Sequence, residues 1–168
     1  MATSFSGNLK LALAGTLVND SDLSTDTSAV NYTKSYNIAT GTSADQANNI
    51  FTDTRTLTAS STEDLDLAGV LTNAFGATLT FTKIKGIIIE ASSANTNNVL
   101  VGGDANGLAG WVGNVNDLIV VRPGGIFAIY APDSTGYAVT ASTGDILQIA
   151  NSSSGTSVTY NIIVIGCV

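Results

Sequence analysis

Histidine is absent from this chain of 168 residues, and cysteine, tryptophan and methionine occur once each. Without imidazole the chain lacks the commonest general base, metal ligand and neutral-pH switch. A lone cysteine, Cys167, has no partner for an intrachain disulfide and no histidine to activate its thiol. It reads as a small apolar residue near a chain end. Charge is scarce too: only 11% of residues carry one, with six basic against 13 acidic side chains and a net charge of −7. Lys10, Lys34, Arg55, Lys83, Lys85 and Arg122 are scattered, and only Lys83 and Lys85 lie close together. Phosphate backbones need clustered lysine and arginine, so nucleic acid is not an expected partner. A membrane is not expected either, because there is no polybasic tract and no apolar run of spanning length. Leu11 to Val18 follows Lys10 as a signal core would, but Leu9, Leu11 and Leu13 alternate with Asn8, Lys10 and Ala12. That period of two predicts a strand, with no signal segment.

What fills the chain instead is threonine, serine and asparagine among apolar residues, with hydrophobic residues at 44% and mean hydropathy at +0.29. The length suits one domain with a real core. Threonine favours strands, and asparagine and serine favour the turns between them. A hydroxyl-rich, charge-poor surface fits subunits packed in an assembly.

Strand-length apolar runs separated by turn chemistry recur along the chain. Residues 1–7 are small and polar and predict a flexible arm. Residues 8–168 predict a single β-sandwich domain. The first strands are expected at Asn8–Val18, bent at Gly15, and at Ala29–Ile38, with an aspartate-rich loop over Asn19–Ser28. Later strands are expected at Asn49–Ser60, at Leu65–Leu71 after a turn, at Ala77–Ala91 and around Val99–Val101. In Ala77–Ala91, Lys83 and Lys85 are expected on an exposed face, and either burial of both faces or a bulge at Gly86 accounts for Ile87-Ile88-Ile89. The C-terminal third predicts strands at Leu118–Val121, Ile126–Tyr130, Tyr137–Val139, Ile146–Ile149 and Val158–Ile165. Arg122-Pro123-Gly124-Gly125 predicts the sharpest turn, with proline presetting one central position and glycine accepting positive φ at the next. No helical stripe persists over a long window. The pattern predicts an all-β fold, an eight-stranded jelly roll or antiparallel β-sandwich, with an up-and-down barrel as the alternative.

Four residues are candidates for contact with partners. Lys83 and Lys85 suit an acidic neighbour, or else protect a strand edge. Trp111 suits a core or interface anchor, or a sugar platform with Tyr130 or Tyr137. Arg122, at a strand end, suits an aspartate of a neighbouring subunit. Glu63, Asp64 and Asp66 form the densest acidic group, and an acidic turn is a simpler reading than a glycosidase pair. Asp20, Asp22 and Asp26 offer hard oxygen ligands, but without the glycine and terminal glutamate of a calcium loop of the EF-hand kind. No catalytic set and no cofactor are expected.

The segments DTRTLTASSTEDLDLAGVLTNAFGATLTFTKIKGIIIE, VRPGGIFAIYAPD and TGDILQIANSSSGTSVTYNIIVIG resemble those of small structural proteins of tailed bacteriophages, in particular capsid decoration or cement proteins. The resemblance runs from about Asn49 to Gly166 and rests on whole segments rather than on a mechanistic motif. It implies a virion component, made in the host cytoplasm, that sits as a homotrimer on the lattice of the major capsid protein. A receptor- or carbohydrate-binding knob of a phage fibre or tail is the alternative. For either, residues 1–7 are the segment expected to reach neighbouring subunits.

Overall fold

A computed structural model describes residues 4–168. They contain twelve strands and no helix: β1 (Gly7–Asp20), β2 (Thr25–Thr40), β3 (Gln46–Ala47), β4 (Asn49–Leu57), β5 (Thr62–Asp66), β6 (Lys83–Ala91), β7 (Val99–Gly102), β8 (Leu118–Val121), β9 (Ile126–Tyr130), β10 (Tyr137–Ala138), β11 (Ile146–Asn151) and β12 (Val158–Cys167). Two antiparallel sheets form a sandwich. The larger runs β10-β6-β12-β4, with β9 also paired to β6, and the smaller runs β5-β11-β7-β8. The sandwich thus has nine strands rather than eight. Its sheets do not close on themselves, so the barrel alternative is set aside.

Strand alternation builds the core. Val158, Tyr160, Ile162 and Val164 of β12 point inward with Ile87 and Ile89 of β6, Phe51 and Leu57 of β4, and Leu147 and Ile149 of β11. Both sheets contribute to one continuous cluster, as face-to-face packing requires. Arg122-Pro123-Gly124-Gly125 makes the turn its sequence predicts. Gly125 N–H donates to the Arg122 carbonyl at 2.8 Å, and Gly124 has φ +74. The five C-terminal runs all become strands, with β10 one residue shorter than expected and β11 and β12 two residues longer.

Other boundaries move. The strand expected at Leu65–Leu71 lies earlier, at Thr62–Asp66, and residues 67–70 are a turn. Of the run Ala77–Ala91, only Lys83–Ala91 is strand; the threonine-rich part before it crosses the sandwich end, carrying Leu79 and Phe81 into the core. A bulge does shift the register, but its extra residue is Lys85. Ile165 pairs with Gly86 and Gly166 with Ile84, so Lys85 has no opposite number on β12. The neighbours on the other edge skip it as well, since Tyr130 pairs with Gly86 and Tyr137 with Ile84. This extra residue lets Ile84, Ile87 and Ile89 all reach the core despite their mixed parity.

The largest departure is at the N-terminus. β1 and β2 form one unbroken hairpin, with fourteen residues of each strand in register from Gly7↔Ile38 to Asp20↔Thr25. Pairing runs unbroken through Gly15, which pairs with Val30, and the expected ten-residue loop shrinks to residues 21–24. Among the described residues the ribbon's one further strand partner is β3, which pairs with two residues at the end of β2. Within residues 4–7, part of the expected arm, Gly7 opens β1 and Phe5 makes contacts of its own. The Phe5 carbonyl accepts from Thr40 Oγ1 at 2.7 Å, and the Phe5 ring packs beside Ile38. The rest of that expected arm, residues 1–3, lies outside the described residues.

Candidate interaction surface

Residues directly opposite in an antiparallel pair share a face. One face of the ribbon therefore carries Leu9 with Tyr36, Leu11 with Lys34, Leu13 with Tyr32, Gly15 with Val30, and Leu17 with Ser28. The other carries Asn8 with Asn37, Lys10 with Ser35, Ala12 with Thr33, Ala14 with Asn31, and Thr16 with Ala29. The ribbon is amphipathic, yet only its root is covered. There Leu9 and Phe5 pack around Ile38, Ala47 and Ile165, and the Tyr36 and Tyr130 rings lie 4.8 Å apart. Farther out, Leu11, Leu13 and Leu17 are 67%, 61% and 71% exposed, and Tyr32 is 53% exposed. Leu11, Leu9 and Tyr36 form one wall of an apolar groove of about 240 Å³ whose other wall is Ala128 and Tyr130 of β9.

That second wall belongs to the outer face of the five-stranded sheet. Ile126, Ala128 and Tyr130 stand opposite Glu90, Ile88 and Gly86 on β6, and Ile163 stands opposite Ile88 on β12. Ile126 is 67% exposed. Glu90 lies on this face and accepts from Asn161 Nδ2 at 3.2 Å.

Of the residues singled out by sequence, Lys83 and Lys85 differ most from expectation. Lys85 is fully buried and Lys83 half-buried, so neither forms an exposed charged face. Both ammonium groups are spent on loop carbonyls. Lys85 Nζ donates to Asp133 O, while Lys83 Nζ donates to Thr42 O at 2.7 Å and Ser134 O at 2.5 Å. Burial lowers the Lys85 pKa, partly offset by the nearby Asp133 carboxylate. The Asp133 carboxylate is itself held low, chiefly by N–H groups of Gly136 and Thr135. Asp45 N–H donates to Pro132 O at 2.7 Å and Ala39 N–H to Asp45 O at 2.9 Å. The two lysines thus tie loop 131–136 and loop 41–45 together beneath the ribbon root. Lysine before and within an apolar strand suggested an exposed face; Gly86 signalled a bulge, but not that Lys85 would be the extra residue turned inward.

Trp111 is half-buried. Its Nε1–H donates to Leu108 O at 2.8 Å and its ring lies 5.6 Å from that of Phe127. Phe127 points into the core whereas Tyr130 meets Tyr36 on the outside, so Trp111 and Tyr130 are on opposite sides of β9 and form no common platform. Arg122 is exposed at the end of β8, beyond the exposed Leu118 and Val120, and has no acidic partner among the described residues.

The acidic groups do not converge. Asp20 and Asp26 project from opposite faces of the ribbon, and among the described residues no three potential ligands gather for a metal. Asp64 accepts from Gln148 Nε2 at 2.9 Å, and Asp66 Oδ1 caps Ala68 N–H at 2.7 Å. Glu63 turns the other way, into a network that the sequence did not reveal. It accepts from the buried Tyr160 hydroxyl and from Arg55 Nη1 at 2.7 Å. Burial first, then the bond to Glu63 and its charge, push the Tyr160 hydroxyl well above the usual tyrosine range. Arg55 and Asn73 also line a cleft of about 310 Å³, where Arg55 Nε lies 3.1 Å from the Asp53 carboxylate and the buried Asn73 Nδ2 has no hydrogen-bond partner among the described residues. An arginine alone in a threonine-rich strand was the available signal for this network.

The geometry defines a class: an antiparallel β-sandwich bearing a long amphipathic ribbon. No family model matches the chain, and comparison with curated proteins and solved structures finds no match either.

Proposed function

We propose that this protein is a structural subunit whose work is binding area: a capsid decoration or cement protein that sits as a homotrimer on the lattice of the major capsid protein at the surface of a phage head. The observation that carries this reading is the exposed apolar face of the ribbon. Leu11, Leu13, Leu17, Val30 and Tyr32 leave on the order of 500 Å² of mostly apolar surface open, near the upper limit of the largest patch on a soluble monomer. Patches of that size mark sites of association. A second exposed group, Leu118 and Val120 with Arg122 beyond them, suits the lattice contact, an apolar pair with an arginine anchor. Many copies on one lattice multiply a modest contact by avidity.

The segment resemblance supplies the phage context, and the ribbon supplies the physical motive for assembly. The sugar-binding knob is the second reading, but Trp111 faces Phe127 and spends its N–H inside, so no observation favours that platform. The test is co-sedimentation with purified phage heads, followed by location of the bound chain. Density at local three-fold axes of the shell is the expected result; density at a tail tip, or no binding to heads, overturns it. Arg122→Glu is expected to weaken head binding about tenfold while leaving the sandwich intact.

A further inference from the structure

We infer that the ribbon is an exchange arm, whose Leu11, Leu13, Leu17, Val30 and Tyr32 face lies on the outer face of the five-stranded sheet of a second copy of this chain. This deepens the self-association in the functional reading but does not depend on the capsid.

Three observations identify the occupant. First, the ribbon cannot account for itself. From Leu11 to Asp20 it extends about 30 Å beyond its seat at roughly 3.3 Å per residue. A two-stranded hairpin without a covered face is marginal in water. From Leu9 to Leu17 its large apolar residues occupy one face and polar or small ones the other, and the separation ends at the tip, where Val18 pairs with Thr27 and Asn19 with Asp26. Such regularity is the pattern of a half-buried sheet, not of a solvated one.

Second, the chain already shows which surface this face accepts. At the root the same stripe, through Leu9 and Tyr36, rests against Tyr130, and Leu11 borders Ala128. These sheet residues begin an outer face that continues through Ala128, Ile88, Ile126 and Ile163 with Ile126 open to solvent. Ribbon and sheet face are therefore two exposed apolar surfaces of one molecule, already matched to each other at one end.

Third, charge fits the ribbon to the sheet face. Lys34 stands opposite Leu11 in the pair next to the root, its ammonium 4.9 Å from the centre of the Tyr36 ring. The acidic residue on the same face of the ribbon, Asp26, stands at the far end opposite Asn19. The sheet face presents Glu90, the one acidic residue of its apolar strip. Ribbon on sheet therefore joins unlike charges, and each such contact buries about 500 Å² per partner, with every copy of a ring making one as donor and one as acceptor. The contact is heterologous, so a closing rotation gives a ring.

The experiment uses the full chain with single cysteines added, Cys167 being buried. A Leu13→Cys chain mixed with an Ile126→Cys chain should form a disulfide-linked heterodimer under mild oxidation. Sedimentation velocity of the unmodified chain should show a closed oligomer. Lys34→Glu or Glu90→Lys alone should weaken it about tenfold, and the two together should restore most of the loss. Trp111 fluorescence checks that each variant keeps its sandwich. A chain that sediments as a monomer at high micromolar concentration overturns the inference, even if that monomer binds phage heads, in which case the functional reading stands alone. Cross-links confined to Leu13→Cys with itself also overturn it, in favour of ribbon on ribbon.

Discussion

The ribbon and the sandwich are written in one alphabet and meet different fates. In β12, Val158, Tyr160, Ile162 and Val164 alternate with Thr159, Asn161 and Ile163, and the first set is sealed. In β1, Leu9, Leu11 and Leu13 alternate with Lys10 and Ala12 just as regularly, yet Leu11 and Leu13 stay open. Alternation fixes which side chains share a face. Whether that face is dry depends on a second layer, which the opposite sheet provides for β12 and none of the described residues provides for the outer ribbon. The comparison teaches that an apolar stripe at strand period is a claim on a partner surface, inside the chain or beyond it.

The largest effect should come from deleting equivalent side chains in the two regions. Leu147 is fully buried between the sheets, and Leu147→Ala is expected to cost about 3 kcal/mol, the transfer loss plus a cavity that the sandwich cannot collapse. Leu13→Ala in the isolated monomer should cost under about 0.5 kcal/mol, as exposed substitutions do. Urea unfolding of both variants checks the pair. Equal losses would mean that the ribbon packs on its own body in solution.

Next comes the polar network inside the sandwich, which has no counterpart in the ribbon. Glu63→Ala strands the buried Tyr160 hydroxyl and leaves the Arg55 guanidinium with Asp53 alone, and is expected to cost about 2 kcal/mol. In the ribbon, Asn8 and Asn37 join at 2.7 Å through exposed side chains, so Asn37→Ala should cost a few tenths of a kcal/mol because water replaces the bond. Denaturant midpoints of the two variants give the contrast.

Legibility in the sequence follows the same divide. The C-terminal runs from Leu118 to Val158 and beyond were placed as strands because each is bounded by a strong turn, Arg122-Pro123-Gly124-Gly125 above all. The sandwich was legible for the same reason. Lys85 was misplaced because a bulge reverses parity without changing composition, and its ammonium is satisfied by a loop carbonyl 48 positions away. The ribbon's two strands were readable, as was the alternation of Leu9, Leu11 and Leu13 with Asn8, Lys10 and Ala12. Its unity was not, because the aspartates and serines of Asn19–Ser28 resemble a long loop when they are in fact strand ends around the four residues 21–24. Tertiary exposure was hidden entirely, since a strand that seeks a partner in another molecule reads like one that finds it at home. The Arg55–Glu63–Tyr160 network was equally hidden, because it joins positions 55, 63 and 160 through pairing that no local pattern encodes.

Alkaline pH should separate the regions more gently. Burial raises the tyrosine pKa at Tyr130, Tyr137 and Tyr160, and at Tyr160 the bond to Glu63 adds to it. A group whose folded pKa lies above its unfolded value contributes stability that is complete below the unfolded value, near 10, and is lost as pH rises past it. Lys85 acts in the opposite sense. Its lowered pKa means that the unfolded chain binds more protons between that value and 10.5, so stability rises with pH across that window. Three tyrosines against one lysine make the net trend a decline above about pH 10. Denaturation midpoints at pH 8, 10 and 11 test the trend, and Tyr160→Phe should flatten it. Absorbance at the tyrosinate band should rise for Tyr160 only as the sandwich unfolds.

The smallest effect expected is the sharpest test of the comparison. If the outer ribbon gains no stability from its own body, removing it should leave that body unchanged. Residues 11–34 can be replaced by a short Asn-Gly connection from Lys10 to Ser35, which are paired in the hairpin. The seat survives in this variant: Leu9 still faces Tyr36, Tyr36 still meets Tyr130, and Ile38 stays with Ala47 and Ile165. So does the lysine-tied root, because Lys83 reaches Thr42 and Lys85 reaches Asp133, both outside the deleted segment. Unfolding of the shortened chain in dilute solution should match that of the full chain to within about 0.5 kcal/mol. At concentrations where the full chain is assembled, the two should part, because association stabilises by mass action only the chain that can associate. A concentration-dependent melting temperature in the full chain and a constant one in the shortened chain would locate the ribbon's contribution between molecules. A fall of several degrees for the shortened chain in dilute solution would locate it within one, and the distinction between the two regions would then be lost.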